Sequence, residues 1–368
     1  MISFKITRFN SFLAIFIFFL SLSKIVIGET IKIATLAPDR SSWVITLRAI
    51  DAELRELTQG KVKLKIYPGG VQGDEDVVLR KMRIGMLHGG SFAAQGFSSI
   101  VPDILGIQMP FLFNDYGEVD FVLQEMNDYF FKKYEEKGFI HLGWTDIGFV
   151  HILSKNPVRT IDDIRRSKVW RMENEPITET LFDLANVNSI PLSIPDVLMG
   201  LETNLVDVAY ASPAAAVVLQ WFTRVNFFNE LPINYTLGAF LVDKRVFDRL
   251  GDDHKHIFKD IAIRHMRKLS LQTRKENAES IEALKLQGLQ QLQTSVQEIN
   301  TFTFNTNVLG AIKTSEILVE KIRGTKAVLR LPEHDIYYTL NDSTLAKLTK
   351  LVLQHMETVE IDGMTFSD

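Results

Sequence analysis

The sequence predicts an α/β protein built from two units, and three observations support this prediction. The chain has 368 residues, enough for about two domains, and its 46% hydrophobic and 23% charged residues are typical of a protein with a large buried core. Strand-like and helix-like segments alternate over residues 29–149 and again over residues 150–236, which indicates parallel sheets flanked by helices. A proline-free polar stretch predicts a helix over residues 252–290 that is long enough to bridge both units.

In the first unit, alternating polarity marks the strands, and apolar residues at every third or fourth position mark the helices. Ser41-Ser42, Asp74 and Asp115 are expected to cap helices, because a short polar side chain can accept hydrogen bonds from the first helical N–H groups. Strands are predicted at Ile31–Leu36, Lys61–Tyr67 and Phe139–Trp144, and helices at Trp43–Gln59, Asp74–Met82 and Asp115–Gly138.

The second unit shows the same two patterns, and a further strand at Leu237–Val242 precedes the long helix. Its strands are predicted at Val150–Ser154, Lys168–Met172, Val187–Ile190 and Val206–Tyr210, and its helices at Pro176–Ala185, at Asp196–Thr203 and from Ser212-Pro213 onward. After about Thr301 the pattern is weak, apart from an amphipathic helix between Ser343 and Met356.

The first 28 residues have the layout of a cleavable secretory signal peptide. Lys5 and Arg8 form a basic start, and the apolar run Phe12–Leu22 follows. This run is shorter than the about 20 residues that a membrane-spanning helix needs, and Lys24 interrupts any extension. We therefore expect an exported, soluble protein that begins near Glu29, rather than an uncleaved membrane anchor.

Composition and motifs exclude several classes of function. A net charge of -4 without a long block of like charge argues against nucleic-acid binding, and the absence of cysteine excludes disulfides, thiolate metal sites and a cysteine nucleophile. The motifs GxSxG, GxxxxGK[ST] and HExxH are missing, and no GxGxxG follows a strand. The histidines are scattered, and the two-residue spacing of His254 and His256 puts them on different faces of a helix. We expect no enzymatic activity, no metal site and no cofactor.

Arg171 is the leading candidate for a ligand-binding residue. It ends the apolar strand Val169–Met172, where an α/β unit presents binding residues outside its sheet. A guanidinium group at this place could hold a carboxylate by two parallel hydrogen bonds. The alternative is a surface arginine paired with Glu173 or Glu175.

Six aromatic residues at strand ends or helix starts, together with Ser212, are candidates to line an apolar ligand pocket. The aromatic residues are Trp43, Phe92, Phe149, Trp170, Tyr210 and Trp221. Core packing is the alternative for each of them, because large aromatic side chains contribute most of their area to protein interiors.

Five short segments, in this order along residues 31–290, resemble the periplasmic solute-binding proteins of tripartite ATP-independent periplasmic (TRAP) transporters. No single segment is specific, but the five together are. They are Tyr67-Pro68-Gly69-Gly70-Val71-Gln72-Gly73-Asp74-Glu75, Met109-Pro110-Phe111-Leu112-Phe113, Pro157-Val158-Arg159-Thr160-Ile161-Asp162-Asp163-Ile164, Ser167-Lys168-Val169-Trp170-Arg171-Met172 and Leu201-Glu202-Thr203-Asn204-Leu205-Val206-Asp207.

The resemblance implies a periplasmic binding protein with two α/β lobes joined at a hinge, a ligand cleft between the lobes and a long helix that spans both. Lobe I would comprise residues 29–149 with 237–255 and the C-terminal helix, and lobe II residues 150–236 with part of 290–335. It also implies a periplasmic location and delivery of a small organic acid to the membrane permease subunits of the transporter. One branch of the family works with a periplasmic tetratricopeptide-repeat protein, which makes such a protein a further expected partner.

The resemblance also bears on the ligand. Arg171 matches the carboxylate-binding arginine usual in the family, whereas Val150 occupies the place of a second arginine often found there. The polar residues that commonly follow the Val206-Asp207 pair are replaced by Val208-Ala209-Tyr210-Ala211-Ser212. These departures favour a monocarboxylate or a hydrophobic carboxylate over a dicarboxylate or a sugar acid.

Two other functions remain as alternatives. An exported ligand-sensing or scaffold protein would use the same cleft for an interaction role. An exported serine hydrolase would need Ser91, Ser193 or Ser212 as its nucleophile, but no histidine lies at a recognisable spacing from any of the three.

The N-terminal pattern leads to a first prediction. The exported protein should begin at or near Glu29, because the run Phe12–Leu22 suits the core of a signal peptide better than a membrane span. N-terminal sequencing of the exported protein measures this directly. Retention of Met1 in a membrane fraction would contradict it.

Overall fold

The computed structural model of the chain describes residues 28–108, 112–173, 175, 178–179, 182–183, 185–293, 326–331 and 336–341. Except for Gly28, the predicted signal peptide lies outside these residues, as do the helix between Ser343 and Met356 and half of the helix predicted at Pro176–Ala185. In the part of the chain that is described, every helix is too short or too polar to cross a membrane.

Three of the longer helices begin at capping side chains that the sequence indicates. Ser41, Asp74 and Asp115 each accept a hydrogen bond from a backbone N–H group in the first turn of the helix that follows. The α-helices are α1 (Ser42–Leu57), α2 (Glu75–Arg83), α3 (Ala94–Ser98), α4 (Tyr116–Glu136), α5 (Ile161–Arg165), α6 (Val197–Glu202), α7 (Pro213–Val218), α8 (Lys244–Asp248) and α9 (Asp252–Leu286). Short 3₁₀ helices cover Pro102–Gln108, Ile194–Asp196 and Trp221–Arg224.

The predicted strands lie within about three residues of their predicted positions. The strands predicted to begin at Val187 and Val206 begin two residues later, at Ser189 and Val208, whereas those predicted from Ile31 and Leu237 begin earlier, at Glu29 and Asn234. The strands are β1 (Glu29–Ala34), β2 (Val62–Tyr67), β3 (Gly89–Phe92), β4 (Phe139–Ser154), β5 (Val169–Met172), β6 (Ser189–Leu192), β7 (Val208–Ala211), β8 (Phe227–Asn229), β9 (Asn234–Asp243), β10 (Gln290–Leu292), β11 (Lys326–Leu331) and β12 (Ile336–Asn341). The last two form a separate antiparallel pair.

The expectation of purely parallel sheets is wrong. In the order β2-β1-β3-β9-β4-β7-β5-β6, β1 runs parallel to β2 and β3, and β5 runs parallel to β6 and β7. However, β9 is antiparallel to both β3 and β4, and β4 is antiparallel to β7 and β8. The two long strands thus join the two parallel sets into one mixed network.

β4 is one strand of 16 residues, although the sequence predicts two separate strands at Phe139–Trp144 and Val150–Ser154. Its pairing with β9 continues to Val150, with two shifts of register on the way, and its pairing with β7 begins at His151. Gly143 (φ 139°) and Gly148 (φ 112°) lie at these irregular places. The predicted lobe boundary between residues 149 and 150 stays a prediction.

Hydrophobic clusters cover both faces of each parallel set. On β9, Leu237 and Leu241 belong to a cluster under α3 and α4, whereas Phe240 and Val242 belong to a second one under α1 and α9. This division follows from the alternation of side chains along a strand. On β5, Trp170 and Val169 are divided in the same way between two further clusters.

The 35-residue helix α9 packs against both parts of the network. Phe258 and Met266 lie in the cluster with α1, whereas Leu284 lies in the cluster with Trp170. At about 1.5 Å per residue the helix is roughly 50 Å long, which is enough to reach across a protein of this size.

Two polar side chains fix the middle of α9. Arg274 donates from Nε to the buried carboxylate of Asp146 on β4, which also accepts a hydrogen bond from Tyr235. Arg274 also pairs with Asp120 of α4 (Nη1 to Oδ2, 2.8 Å). One turn later, Asn277 donates to the carbonyl oxygen of Ile147 and accepts from the N–H group of Ala214, both at 2.9 Å.

His141 leads to a prediction about stability. It is 4% exposed and stacks on Phe131, and its Nδ1 accepts a hydrogen bond from the N–H group of Gly143. Burial lowers the pKa of His141 well below its usual value, so the folded protein keeps the ring neutral. Below about pH 6.5 the unfolded chain takes up a proton that the folded chain cannot, and the free energy of unfolding falls.

We expect this contribution to reduce the free energy of unfolding by about 1 kcal/mol between pH 7.5 and pH 5.5. His141→Phe should remove that part of the pH dependence, whereas replacement of the exposed His256 by Gln should leave it in place. Urea unfolding at the two pH values measures the difference. Equal pH dependence in the His141 variant and the unmodified protein would contradict a neutral buried ring.

Candidate ligand-binding site

A cavity of about 170 Å³ lies where β4, β5 and β7 meet the start of α3. Most of its lining side chains are aliphatic or aromatic, and they come from the strands, from α5 and α7, and from the segment before α3. For comparison, an engineered apolar cavity of about 150 Å³ stays dry and binds benzene. The cavity is therefore suited to a small hydrophobic molecule or to the apolar part of a larger one.

Three aromatic rings form one wall. Trp170 of β5 stacks on Tyr210 of β7 (ring centroids 4.5 Å apart, 29° between planes) and meets Trp221 edge to face at 5.2 Å. The indole N–H of Trp170 donates to the carbonyl oxygen of Leu192 at 2.9 Å, and the Tyr210 hydroxyl accepts from the N–H of Met172 at 3.2 Å. Burial raises the pKa of Tyr210, so its hydroxyl stays neutral. The wall is thus uncharged, and two of its rings are held by hydrogen bonds to the backbone.

The facing wall includes Ala93 and Ala94, which are positioned by Glu75. This carboxyl group, 3% exposed, accepts hydrogen bonds from the backbone N–H groups of Ala93 and Gly96, the latter at 2.6 Å. Burial raises the pKa of Glu75 to about 8. The buried side chain therefore holds the turn from β3 into α3 against the cavity.

Val150 also lines the cavity and is 5% exposed. The family resemblance described above implies a second arginine at this position, and this correspondence stays a prediction. A charged side chain here would border the cavity directly, whereas valine adds only hydrocarbon to the lining. Its neighbour on the same face of β4, Ile152, extends the apolar surface.

The structure brings four of the predicted pocket residues to the cavity: Trp170, Tyr210, Ser212 and Trp221. The other three aromatic residues do not line it and pack in the core. Trp43 donates from its indole N–H to Ser91, Phe92 is 1% exposed, and Phe149 packs on Tyr116 with ring centroids 5.0 Å apart. Their sequence patterns resemble those of the lining residues because burial in a core and burial in a pocket select the same side chains.

Arg171 is not among the residues that line the cavity. Its side chain is 15% exposed and its Nη1 lies 3.2 Å from Oε1 of Glu179, a partner that the sequence did not indicate. By strand alternation it shares a face of β5 with Val169, which does line the cavity. Its role as the carboxylate-binding residue stays a prediction.

Each serine considered as a nucleophile has another hydrogen-bond partner. Ser91 accepts from Trp43, Ser193 donates to Asp196 at 2.6 Å, and the Ser212 hydroxyl accepts from the N–H group of Ala215 to cap α7. Within the described residues, no histidine is hydrogen-bonded to any of the three, and no three acidic or histidine side chains group together as metal ligands.

Sequence reasoning did not single out Gln108, Asn234 and Thr236, which contribute polar atoms to the cavity. Gln108 directly precedes the segment Met109-Pro110-Phe111, but it comes together with β9 only in the folded chain. No local pattern marks a contact between residues that are more than a hundred positions apart.

The sequence profile of the bacterial extracellular solute-binding protein family 7 (DctP) matches residues 33–309. The chain belongs to this family. The 2,3-diketo-L-gulonate-binding periplasmic protein YiaO of Escherichia coli K12 is 26% identical over 229 residues, which cover 61% of this chain and 69% of YiaO. The sialic acid-binding periplasmic protein SiaP of Vibrio cholerae is 23% identical over 273 residues, which cover 71% of this chain and 82% of SiaP.

Solved structures confirm the predicted two-lobed α/β fold. A TRAP periplasmic solute-binding protein from Xanthobacter autotrophicus Py2, with bound β-D-galacturonate, superposes with a TM-score of 0.74 at 17% identity and covers 88% of this chain and 99% of its own. A similar protein from Pseudomonas putida F1, with bound D-glucuronate, has a TM-score of 0.72 at 17% identity and covers 92% and 100%. The family match, together with the periplasmic binding proteins among its relatives, makes this chain a TRAP-type solute-binding protein rather than an enzyme.

The aromatic wall leads to a prediction about fluorescence. Of the four tryptophans, Trp170 and Trp221 line the cavity and Trp43 does not. Toluene added to the protein should change the tryptophan emission, because it enters the cavity beside the two rings. The double variant Trp170→Phe/Trp221→Phe should lose this change, and Trp43→Phe should keep it. An unaltered response in the double variant would mean that toluene binds elsewhere.

Proposed function

We propose that this DctP protein captures a small organic acid of predominantly hydrophobic character and delivers it to a membrane permease. The observation that carries the proposal is the apolar lining of the cavity, with Val150 at the place of a second arginine. Sugar acids such as those bound in the two related structures carry several hydroxyl groups, and each buried hydroxyl group needs a hydrogen-bond partner. The lining includes several polar side chains, but most of it is aliphatic or aromatic, and this supports a ligand with a hydrocarbon body.

The proposal assigns the ligand carboxylate to Arg171. An ionised carboxylate that leaves water needs a cationic donor, and arginine supplies two aligned N–H groups that stay protonated. Arg171 is mostly buried, follows the lining residue Trp170 and already holds the carboxylate of Glu179. Glu179 is half exposed, so a ligand carboxylate can replace it at little cost.

The proposal includes capture by closure of the two lobes. The turn after β2 lies near the 3₁₀ helix Ile194–Asp196, since a side-chain carbon added at Gly70 would lie 3.5 Å from Cγ of Pro195. Ile194 of the same helix lines the cavity. Entry of a ligand then requires these two segments to separate, and the family fold provides a hinge for such a movement.

The same proposal places the protein in the periplasm, after removal of the signal peptide, with the permease subunits of a TRAP transporter as partners. The periplasmic location is supported by the family and by the N-terminal sequence pattern. A periplasmic tetratricopeptide-repeat partner stays a prediction, which co-purification from the native organism tests.

Calorimetry with small acids tests the ligand class and the role of Arg171. Benzoate and 4-methylpentanoate should bind more tightly than D-glucuronate. Arg171→Ala should weaken benzoate binding by about 2 kcal/mol, because a buried carboxylate loses its charged donor. Glu179→Gln should strengthen binding, since it removes the competing carboxylate.

Arg224→Ala is the matched control, because Arg224 forms a comparable ion pair with Glu202 on the surface and is absent from the cavity lining. This variant should bind benzoate like the unmodified protein. Tight binding of D-glucuronate without binding of benzoate would contradict the proposed ligand class. Unchanged benzoate affinity in Arg171→Ala would contradict only the role of the arginine.

A further inference from the structure

Three described residues that line the mainly apolar cavity, Gln108, Thr178 and Asn234, each have a buried polar atom without a hydrogen-bond partner. Of these, Gln108 and Asn234 are hydrogen-bonded to each other through other atoms. Gln108 is 4% exposed, and its Nε2 is buried and makes no hydrogen bond within the described residues. The same holds for Oδ1 of Asn234, the first residue of β9. Both residues line the cavity. A buried donor and a buried acceptor that stay unpaired destabilise a protein, so a pair of this kind calls for an explanation.

The remaining atoms of both side chains are occupied. Nδ2 of Asn234 donates to the backbone oxygen of Gln108 at 3.4 Å, and Oε1 of Gln108 accepts from the hydroxyl of Thr236 at 2.9 Å. The orientation of the Asn234 amide follows from this contact, because a carbonyl oxygen can only accept. The unpaired group of Gln108 is therefore the Nε2 donor, and the unpaired group of Asn234 is the Oδ1 acceptor.

Backbone geometry brings these groups to one region of the cavity. Asn234 and Thr236 lie two residues apart on β9 and therefore on the same face of the strand. Thr236 holds the side chain of Gln108, and Asn234 holds its main chain. Gln108 is thus tied to β9 at two points, and its free donor belongs to the same polar corner as the free acceptor of Asn234.

An ionised carboxylate does not fit this corner. The oxygen of Asn234 would face its negative charge, and the described residues that line the cavity include no arginine or lysine to balance it. An amide fits, because its carbonyl oxygen accepts while its N–H group donates, and it is neutral at every physiological pH.

We propose that the polar corner formed by Gln108, Asn234 and Thr236 recognises an amide group on the ligand. This inference rests on the proposed function, in which the cavity holds the hydrocarbon body of a small molecule. The ligand class becomes an apolar acid that also carries an amide or a lactam. The ligand carboxylate would bind Arg171, and the ligand amide would bind the uncharged polar corner.

Matched aromatic probes test the inference. Benzamide, acetophenone, aniline and toluene share one ring and differ in whether they offer an acceptor and a donor, an acceptor only, donors only or neither. Benzamide should bind about tenfold more tightly than acetophenone, because only benzamide pairs both Gln108 and Asn234. Titration calorimetry on the full mature protein measures the four affinities, and this comparison needs no variant.

Variants then locate the preference. Gln108→Met and Asn234→Leu should each reduce the ratio of benzamide to acetophenone affinity to near one, while toluene binds at least as tightly as before. Asn226→Leu is the matched control, since Asn226 is exposed and does not line the cavity, and it should keep the tenfold ratio.

The outcomes separate this inference from the proposed function. If neither toluene nor benzoate binds, the proposed function fails, and the inference fails with it. If toluene binds but benzamide is no tighter than acetophenone, the inference is overturned and the apolar cavity stands, with water as the partner of the two groups. A preference for aniline would mean that both side-chain amides accept, and it would overturn the inference as well.

Discussion

The buried pair of Asp146 and Arg274 is the interaction around which the rest of this protein is arranged. The carboxylate lies in the middle of β4, where burial raises its pKa and the adjacent guanidinium opposes that rise. A buried ion pair of this kind adds little net stability, but loss of one partner leaves a charge stranded in the interior. The main effect of the pair is therefore to determine where α9 lies. The pair fixes α9 against β4, Tyr235 extends the contact to β9, and Asp120 extends it to α4.

Elements of the fold that depend on neighbouring residues could be predicted from the sequence. Elements that depend on contacts between distant residues could not. The caps at Asp74 and Asp115 follow from short-range chemistry, as does the capping box of Thr160 and Asp163. The continuity of β4 does not, because nothing local in residues 145–149 indicates a strand, and this part of β4 is held by its neighbours β9 and α9. A side-chain carbon at Gly148 would lie 2.3 Å from Nδ2 of Asn277.

The residues of the candidate site also differ in whether the sequence could predict them. Trp170 and Tyr210 could be assigned to a pocket from their strand positions, whereas Trp43 and Phe92 show the same local pattern and pack in the core. No sequence pattern marked Gln108 as a site residue. It reaches the cavity only because the 3₁₀ helix that ends at Gln108 packs beside β9 in the folded chain. Val150 could be singled out from the sequence only through the family resemblance, and the structure shows that its apolar side chain lines the cavity.

Asn277 of α9 is hydrogen-bonded to two other elements of the fold. Its side chain bridges β4 and the first turn of α7 from a position where it is 5% exposed. Separation of α7 from β4 would break at least one of these two hydrogen bonds and leave part of a buried amide unpaired, which costs free energy. If the proposed opening separates these two elements, it would therefore be thermally activated. The time for which a solute stays enclosed would then depend partly on this amide as well as on the affinity of the cavity for the solute.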